Sequence, residues 1–307
     1  MKIFESLTIS EKFVNPVLTI GNYDGIHIGH REIIKRVKDR ANAIKGTSML
    51  MTFEPHPMSV LKPNKFIGAI TPVYMKKRLI EESGIDVMII VPFNEEFRNI
   101  SADTFVKEIL VQKIGVKELV VGYDFKFGKD GSGNTMLLQH LSENYGFSFH
   151  IVETITVNGE KIGSNRIRRM IQKGEMERVK IFLGRPFMID GEVKKGVGRG
   201  KNMGFPTINI STTFSLLPKN GVYVTETEVE KVRMPSVTNI GYNPTFNENR
   251  LSIETYILNF SEELYSRHVN IIFHERIRDE MRFKSVDALR KRIAMDVEIA
   301  GKYFGIR

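Results

Sequence analysis

The 307-residue chain contains no cysteine. That excludes disulfides, thiolate metal sites and cysteine nucleophiles, and it suits a reducing compartment. No apolar run approaches the ~20 residues of a membrane span. Residues 1–6 lack the apolar core and small-residue cleavage site of a secretory signal. A cytoplasmic protein without membrane attachment is therefore expected. The two commonest glycine-rich nucleotide signatures are also missing. No Gly-Lys-Ser/Thr occurs, and the glycines of residues 196–204 precede no helix with dinucleotide-binding spacing. The net charge is +9, yet the Lys and Arg form no basic tail and flank no RNA-binding aromatic motif. Such charge steers phosphate-bearing small molecules as well, and nucleic acid is not among the expected partners.

What is present divides into two halves. From Val17 to His150 apolar runs alternate with helical patterns. Val17–Ile20, Ser48–Phe53, Val87–Val91, Glu118–Val121 and Phe147–Ile151 read as buried strands. Pro72–Ser83, Ser101–Lys113 and Asn134–Tyr145 read as helices with sensible starts. Continuous apolar strands separated by helices predict a Rossmann-like α/β domain, a parallel sheet covered on both faces. Ligands of such sheets sit beyond the carboxyl ends of the strands.

One such end carries Gly21-Asn22-Tyr23-Asp24-Gly25-Ile26-His27-Ile28-Gly29-His30. Its glycines allow close backbone approach, and the helix that follows turns its N–H groups toward an anion. His27 and His30, one turn apart, can hydrogen-bond phosphate oxygens and stabilise charge building on them. A zinc-protease reading fails because no Glu follows His27. Two other segments share that end, residues 54–57 and 122–128.

The alternation stops around Gly174–Gly184, and Leu183-Gly184-Arg185-Pro186 reads as a hinge. The expected domains are 1–183 and 184–307. The second half reads as β-runs at Phe187–Lys194, Gly221–Glu228, Met234–Ile240, Leu251–Leu258 and His268–Arg276, then a helix from Ser285 to about Tyr303. A small antiparallel β-barrel closed by a terminal α-helix is the economical architecture. Within it Thr207 and Asn209, two apart on extended chain, project from one face. Together they offer hard oxygens to Mg²⁺.

These stretches resemble motifs of a known family. Gly21, Tyr23, Asp24, His27, Gly29 and His30 match the G-x-[FY]-D-x-x-H-x-G-H signature of the nucleotidyltransferases. Thr52–Pro57 and Val121–Lys129 look like motifs of the prokaryotic bifunctional riboflavin kinase/FAD synthetases. Gly204–Asn209 resembles the G-F-P-T-A-N of riboflavin kinases, with Ile208 for Ala, and Asn239–Thr245 resembles N-I-G-x-x-P-T. The resemblance implies ATP-dependent phosphorylation of riboflavin to FMN in the second domain. It implies transfer of AMP from ATP to FMN in the first, giving FAD and pyrophosphate. ATP, with Mg²⁺, would serve both steps. It further implies His27, His30, Ser164 and Arg168 as catalytic for adenylyl transfer, and Glu254 as general base of the kinase. Gly21, Tyr23, Asp24, Gly29, Asn165, Arg166, Gly198, Gly200 and Gly204 would hold phosphate or ATP. Phe53, Pro55, His56, Pro57, Asp124, Phe125, Arg278, Glu280 and Phe283 would face flavin, and Thr207 and Asn209 the metal.

Departures from the family pattern keep alternatives open. Gly163 and Asn165 stand where I-S-S-T-x-I-R has Ser and Thr, and both changes remove a hydroxyl. Asn259 and Ser266 replace an Asp and a Gly after the Glu254 strand. A protein retaining adenylyl transfer alone, or a flavin- or RNA-binding regulator on the same fold, would also fit such changes.

Overall fold

The computed structural model describes residues 1–196, 200, 203–242 and 251–306. Two compact units make up the chain, Met1–Ser164 and Asn165–Arg307, and each is taken by itself.

The first unit is a six-stranded, all-parallel sheet. Its strands are β1 (Lys2–Phe4), β2 (Val17–Ile20), β3 (Ser48–Glu54), β4 (Val87–Pro92), β5 (Glu118–Gly122) and β6 (Ser148–Val152), in the order β1-β4-β3-β2-β5-β6. Successive side chains point to opposite faces, and both faces are apolar, as a doubly covered sheet requires. Val17, Leu50, Met88, Ile90 and Val120 pack with Ile34, Val37 and Ala41 of α1 (Ile28–Ala43) and Ile80 of α3 (Val73–Glu82). Leu18, Ile20, Met49, Met51, Ile89, Leu119 and Val121 face the other way. They meet Phe105, Val106 and Ile109, and Leu138 and Leu141 of α6 (Thr135–Tyr145). The helix over Ser101–Lys113 forms, but its body Phe105–Ile114 is π-wound after a short α start, Ala102–Thr104. Short helices follow two of the strands, α2 (Pro57–Leu61) after β3, and α4 (Glu95–Arg98) and α5 (Ala102–Thr104) after β4. After β6 a small hairpin pairs β7 (Thr156–Val157) with β8 (Glu160–Lys161).

The strand order matters for function. From β2 the chain runs to β3 and β4 on one side, then returns to place β5 on the other. The carboxyl end of β2 is thus the switch point, where open α/β sheets bind ligands.

In the second unit α7 (Ser164–Lys173) and α8 (Met176–Leu183) lead into a closed barrel. Gly184, at φ +69°, ends α8 in the left-handed conformation favoured at helix C-termini. The barrel strands are β9 (Phe187–Lys194), β10 (Thr207–Ser211), β11 (Gly221–Val229), β12 (Val232–Tyr242), β13 (Leu251–Ile257) and β14 (His268–Arg278), closed in the order β10-β13-β12-β11-β14-β9. Every pairing is antiparallel. Closure removes the exposed edges a short open sheet would leave. The C-terminal helix (Val286–Tyr303, here α9) lays Val297 and Ala300 on Val222, Val224, Val237 and Leu258 outside the barrel. Ser285 caps it by accepting from the Ala288 N–H at 3.2 Å. Helices α7 and α8 belong with this unit, so the compact boundary falls nearer Ser164 than the hinge at 183–186.

Candidate functional sites

In the first unit the turn after β2 is strained and tightly braced. Tyr23 and Ile26 hold φ at +46° and +40°, and Gly25 at +93°. For Ile, with its branched Cβ, that is a costly conformation, of the kind surrounding structure must impose. The brace is Asp24, 1% exposed. Its carboxylate accepts from the backbone N–H groups of Ile70 (2.9 Å) and Thr71 (3.0 Å), and Thr71 Oγ1 also reaches it at 3.3 Å. The same Thr71 Oγ1 accepts from Gly25 N–H at 2.9 Å. Asp24, expected to serve phosphate, thus holds the turn. Ser164 donates its hydroxyl to the Asp24 carbonyl at 2.8 Å.

The turn delivers two histidines. His27 caps α1, and its Nδ1 accepts from the His30 backbone N–H at 3.2 Å. With Nδ1 taken as acceptor, the neutral ring carries its proton on Nε2, as a donor. The two rings stack at 3.6 Å with planes 14° apart, and Tyr23 lies 4.9 Å from His30 on centroids. Gly29 leaves room for the stack, because a Cβ there would stand 3.2 Å from His27 Nδ1 and press on the ring. Gly21 leaves room in the same way for the Tyr23 ring, whose hydroxyl shares a 2.5 Å hydrogen bond with Thr19. Burial, then the neighbouring His27 and Lys76, hold the His30 pKa well below the usual 6.5. His30 Nδ1 is buried and has no hydrogen-bond partner among the described residues. The arrangement presents ring N–H groups at the positive end of a helix, which suits phosphate oxygens.

The segments beyond β3 and β5 form an aromatic wall. Phe53 contacts Phe97 at 5.5 Å and Phe93 at 5.9 Å, and Phe97 leads through Phe105 to Phe127, on which Phe125 stacks at 5.5 Å. Phe53 and Phe125 stay half-exposed, Pro55 and Asp124 exposed. His56 caps α2 by accepting from Met58 N–H at 3.1 Å, stacks on Phe66 at 4.7 Å, and is buried with Pro57. Pro57 opens α2, where a missing N–H is harmless. Tyr123 accepts from Lys161 Nζ at 3.0 Å, and that ammonium lies 4.9 Å from its ring centroid.

At the head of α7, in the second unit, Arg168 is buried and donates to Asn165 Oδ1 at 2.7 Å. Asn165, expected to donate to phosphate, here presents its carbonyl to the arginine. Arg166 is half-exposed beside it.

On the barrel, register assembles the site. Asn209 of β10 pairs across Glu254 of β13, and Glu254 pairs across Asn239 of β12. All three are half-exposed on the outer face, in one row. Thr207 stands two residues along from Asn209, across from Tyr256, which Phe205 meets edge-on at 5.4 Å. Two glycines leave space for this row. A Cβ on Gly196 would collide with the Asn209 amide, and one on Gly200 with the Phe205 carbonyl. Gly204, at φ +82°, turns the chain into β10. Gly198 and the run 243–246 lie outside the described residues.

Arg278, at the end of β14, and Glu280 and Phe283 beyond it, expected to face flavin, also make contacts within the unit. Arg278 donates to both carboxylate oxygens of buried Asp296, the nearest at 2.7 Å, fastening α9 to β14. Its guanidinium also lies 5.9 Å from the Phe283 ring centroid. Glu280 accepts from Asn220 Nδ2 at 3.2 Å and fills the space beside Gly241.

The sequence reading gives Thr71 and Lys76 no role at the site, and it includes Asn239 only within the run that resembles N-I-G-x-x-P-T. Lys76 lies four residues before buried Ile80 on α3, so its position on the apolar face was the available signal.

A parallel sheet with a phosphate-ready turn at its switch point in one unit, and a barrel bearing a carboxylate between two amides in the other, define a two-site transferase of nucleotide-binding type. Comparison with known proteins is specific. The FAD synthetase family model matches residues 10–166 and the riboflavin kinase model residues 183–304. The bifunctional riboflavin kinase/FMN adenylyltransferase of Escherichia coli (strain K12) is 34% identical over 291 residues, 94% of this chain and 93% of the relative. That of Bacillus subtilis (strain 168) is 36% identical over 302 residues, 96% and 95% of the two chains. A solved structure described as a macrolide-efflux protein from Streptococcus pneumoniae superposes with a TM-score of 0.89 at 26% identity, covering 97% of both chains. Among the described residues no helix is long and apolar enough to cross a membrane. The chain belongs to the bifunctional riboflavin kinase/FMN adenylyltransferase family.

Proposed function

We infer that this protein converts riboflavin to FMN and FMN to FAD, each step using ATP. The observation that carries the reading is the match of one chain to both families, 10–166 and 183–304. The adenylyl-transfer domain is taken as 1–183 and the kinase domain as 184–307.

In the first step the riboflavin 5′-hydroxyl attacks the γ-phosphate of ATP and ADP leaves. Glu254 takes the hydroxyl proton as the new P–O bond forms, a role supported by its half-exposed place between Asn209 and Asn239. Phosphoryl transfer is mostly positioning and charge neutralisation. Mg²⁺ suits the oxygen donors of Thr207 and Asn209, in a row left open by Gly196 and Gly200. Bound there, it would neutralise phosphate charge. Gly200 and Gly204 shape the approach to that row.

In the second step a phosphate oxygen of FMN attacks the α-phosphate of ATP, and pyrophosphate departs. His27 and His30 donate to phosphate oxygens on which charge accumulates, supported by their stacking at the α1 start. Gly21 and Gly29 let the backbone and rings approach. Ser164, Asn165, Arg166 and Arg168 supply further polar and cationic groups for the departing pyrophosphate. Phe53, Pro55, Pro57, His56, Phe125 and Asp124 receive the isoalloxazine, for which a half-exposed aromatic wall is suited. Arg278, Glu280 and Phe283 frame riboflavin in the kinase.

Purified protein given riboflavin, ATP and Mg²⁺ should accumulate FMN and then FAD. Failure to form FMN while supplied FMN still becomes FAD would reduce the reading to a single activity.

A further inference from the structure

Lys76 is the least expected side chain near the histidine turn. It is 3% exposed, on the sheet-facing side of α3. Its ammonium donates to the Asn22 carbonyl at 2.9 Å and to Thr52 Oγ1 at 3.3 Å. Thr52, also fully buried, donates its own hydroxyl to the same Asn22 carbonyl at 3.1 Å. Asn22 lies between Gly21, whose N–H donates to Met51 at 3.1 Å, and the strained Tyr23. One ammonium therefore ties α3 and β3 to the first bend of the turn.

Its partners are neutral oxygens, and it makes no ion pair within 4.0 Å among the described residues. A buried charge held only by neutral groups is costly to the fold. Burial lowers its pKa, opposed by the charges of Asp24 in the turn and Glu54 at the end of β3. An apolar residue would suit the apolar face of α3 better. The charges of Asp24 and Glu54 favour a cation there, and an anion arriving at the turn would favour it further.

We propose that Lys76 is a positioning residue for adenylyl transfer, holding the Asn22 carbonyl and through it the turn that presents His27 and His30 to the phosphates of ATP. This rests on the adenylyl-transfer reading above. A second effect accompanies the first. The groups facing His30 are His27 at the α1 cap, Tyr23 in the turn and Lys76 from α3. Of these, Lys76 brings an ammonium that opposes protonation of His30.

Three variants test the idea: Lys76→Met, Lys76→Arg and Thr52→Val. For FMN and ATP as substrates, Lys76→Met should lower kcat by about 10²-fold, the scale of a reacting group moved by an ångström. Its KM for ATP should change far less. In the nuclear magnetic resonance titration of the histidine rings, His30 should gain its proton at higher pH in Lys76→Met and stay near wild type in Lys76→Arg. Thr52→Val should lower kcat by roughly 10-fold, keeping the charge but loosening the tie. Riboflavin phosphorylation should remain within about twofold in all three. A folded Lys76→Met with wild-type kcat, or with an unmoved His30 titration, overturns the proposal. If Lys76→Met does not fold, Thr52→Val decides: reduced kcat supports the proposal and wild-type kcat overturns it. Should the wild-type protein make no FAD from FMN, the adenylyl-transfer reading fails by itself. The His30 titration then still reports whether Lys76 sets the state of the turn.

Discussion

The two candidate sites are preorganised in opposite ways. The histidine turn of the first unit compresses its chemistry into ten consecutive residues, with Tyr23, Gly25 and Ile26 at positive φ and a buried carboxylate and a buried ammonium beneath it. The barrel site draws Asn209, Asn239 and Glu254 from three strands, and ladder register alone sets them side by side. Strain and buried charge hold the first; regular backbone pairing holds the second. The first should therefore answer strongly to local electrostatics, and the second to anything that disturbs the barrel's closure.

The largest effects should separate the activities. Glu254→Ala should cost the kinase about 10²- to 10⁴-fold, the range of a general base, with FAD formation from supplied FMN unchanged. His30→Ala should cost adenylyl transfer about 10²- to 10³-fold, the range for one charge-stabilising donor, and leave riboflavin phosphorylation intact. Steady-state assays with riboflavin and with FMN distinguish the two. Equal loss of both activities in either folded variant would break the comparison.

Next is the fastening of the barrel. Asp296, buried, accepts from Arg278 at 2.7 Å and forms an ion pair with Arg292 at 3.1 Å. Asp296→Ala leaves those guanidinium groups without their carboxylate and should destabilise the second unit by about 3–5 kcal/mol. Denaturant unfolding followed by hydrogen exchange should place that loss in the second unit. The corresponding change in the first, Asp24→Asn, keeps the shape but weakens bonds made to a charged acceptor. It should cost about 1–3 kcal/mol and depress adenylyl transfer more than stability. A variant with unaltered transfer would show that the turn needs no brace.

The smallest effect is on pH. His30 binds its proton less readily in the folded chain, chiefly because it is buried. The unfolded chain then takes up more protons in acid, so this contribution is full above the unfolded pKa near 6.5 and is lost as pH falls below it. Thermal unfolding should show the first unit weakening on acidification, and His30→Gln should flatten that slope.

The sequence carried the architecture well, for identifiable reasons. Val17–Ile20 and Val87–Val91 read as buried strands because a doubly covered sheet demands unbroken apolar runs. The turn at 21–30 was legible because its functional residues are contiguous. Side-chain direction was not. Nothing in the spacing of Asp24 says that its carboxylate turns to Ile70 and Thr71, since that partner lies forty-odd residues away. Arg278 matched a motif, yet its guanidinium closes on Asp296 of α9. Asn239 gained its meaning only from the register that sets it beside Glu254. Lys76 was hidden because charged residues on helices are normally solvated.

The most direct test mixes the two inactivated forms. Folded His30→Ala and Glu254→Ala proteins, each supplied with riboflavin, ATP and Mg²⁺, should make no FAD alone, the first stopping at FMN. Combined, they should convert riboflavin to FAD through free FMN. A mixture in which FMN accumulates but FAD does not appear would contradict two sites acting independently in the two units.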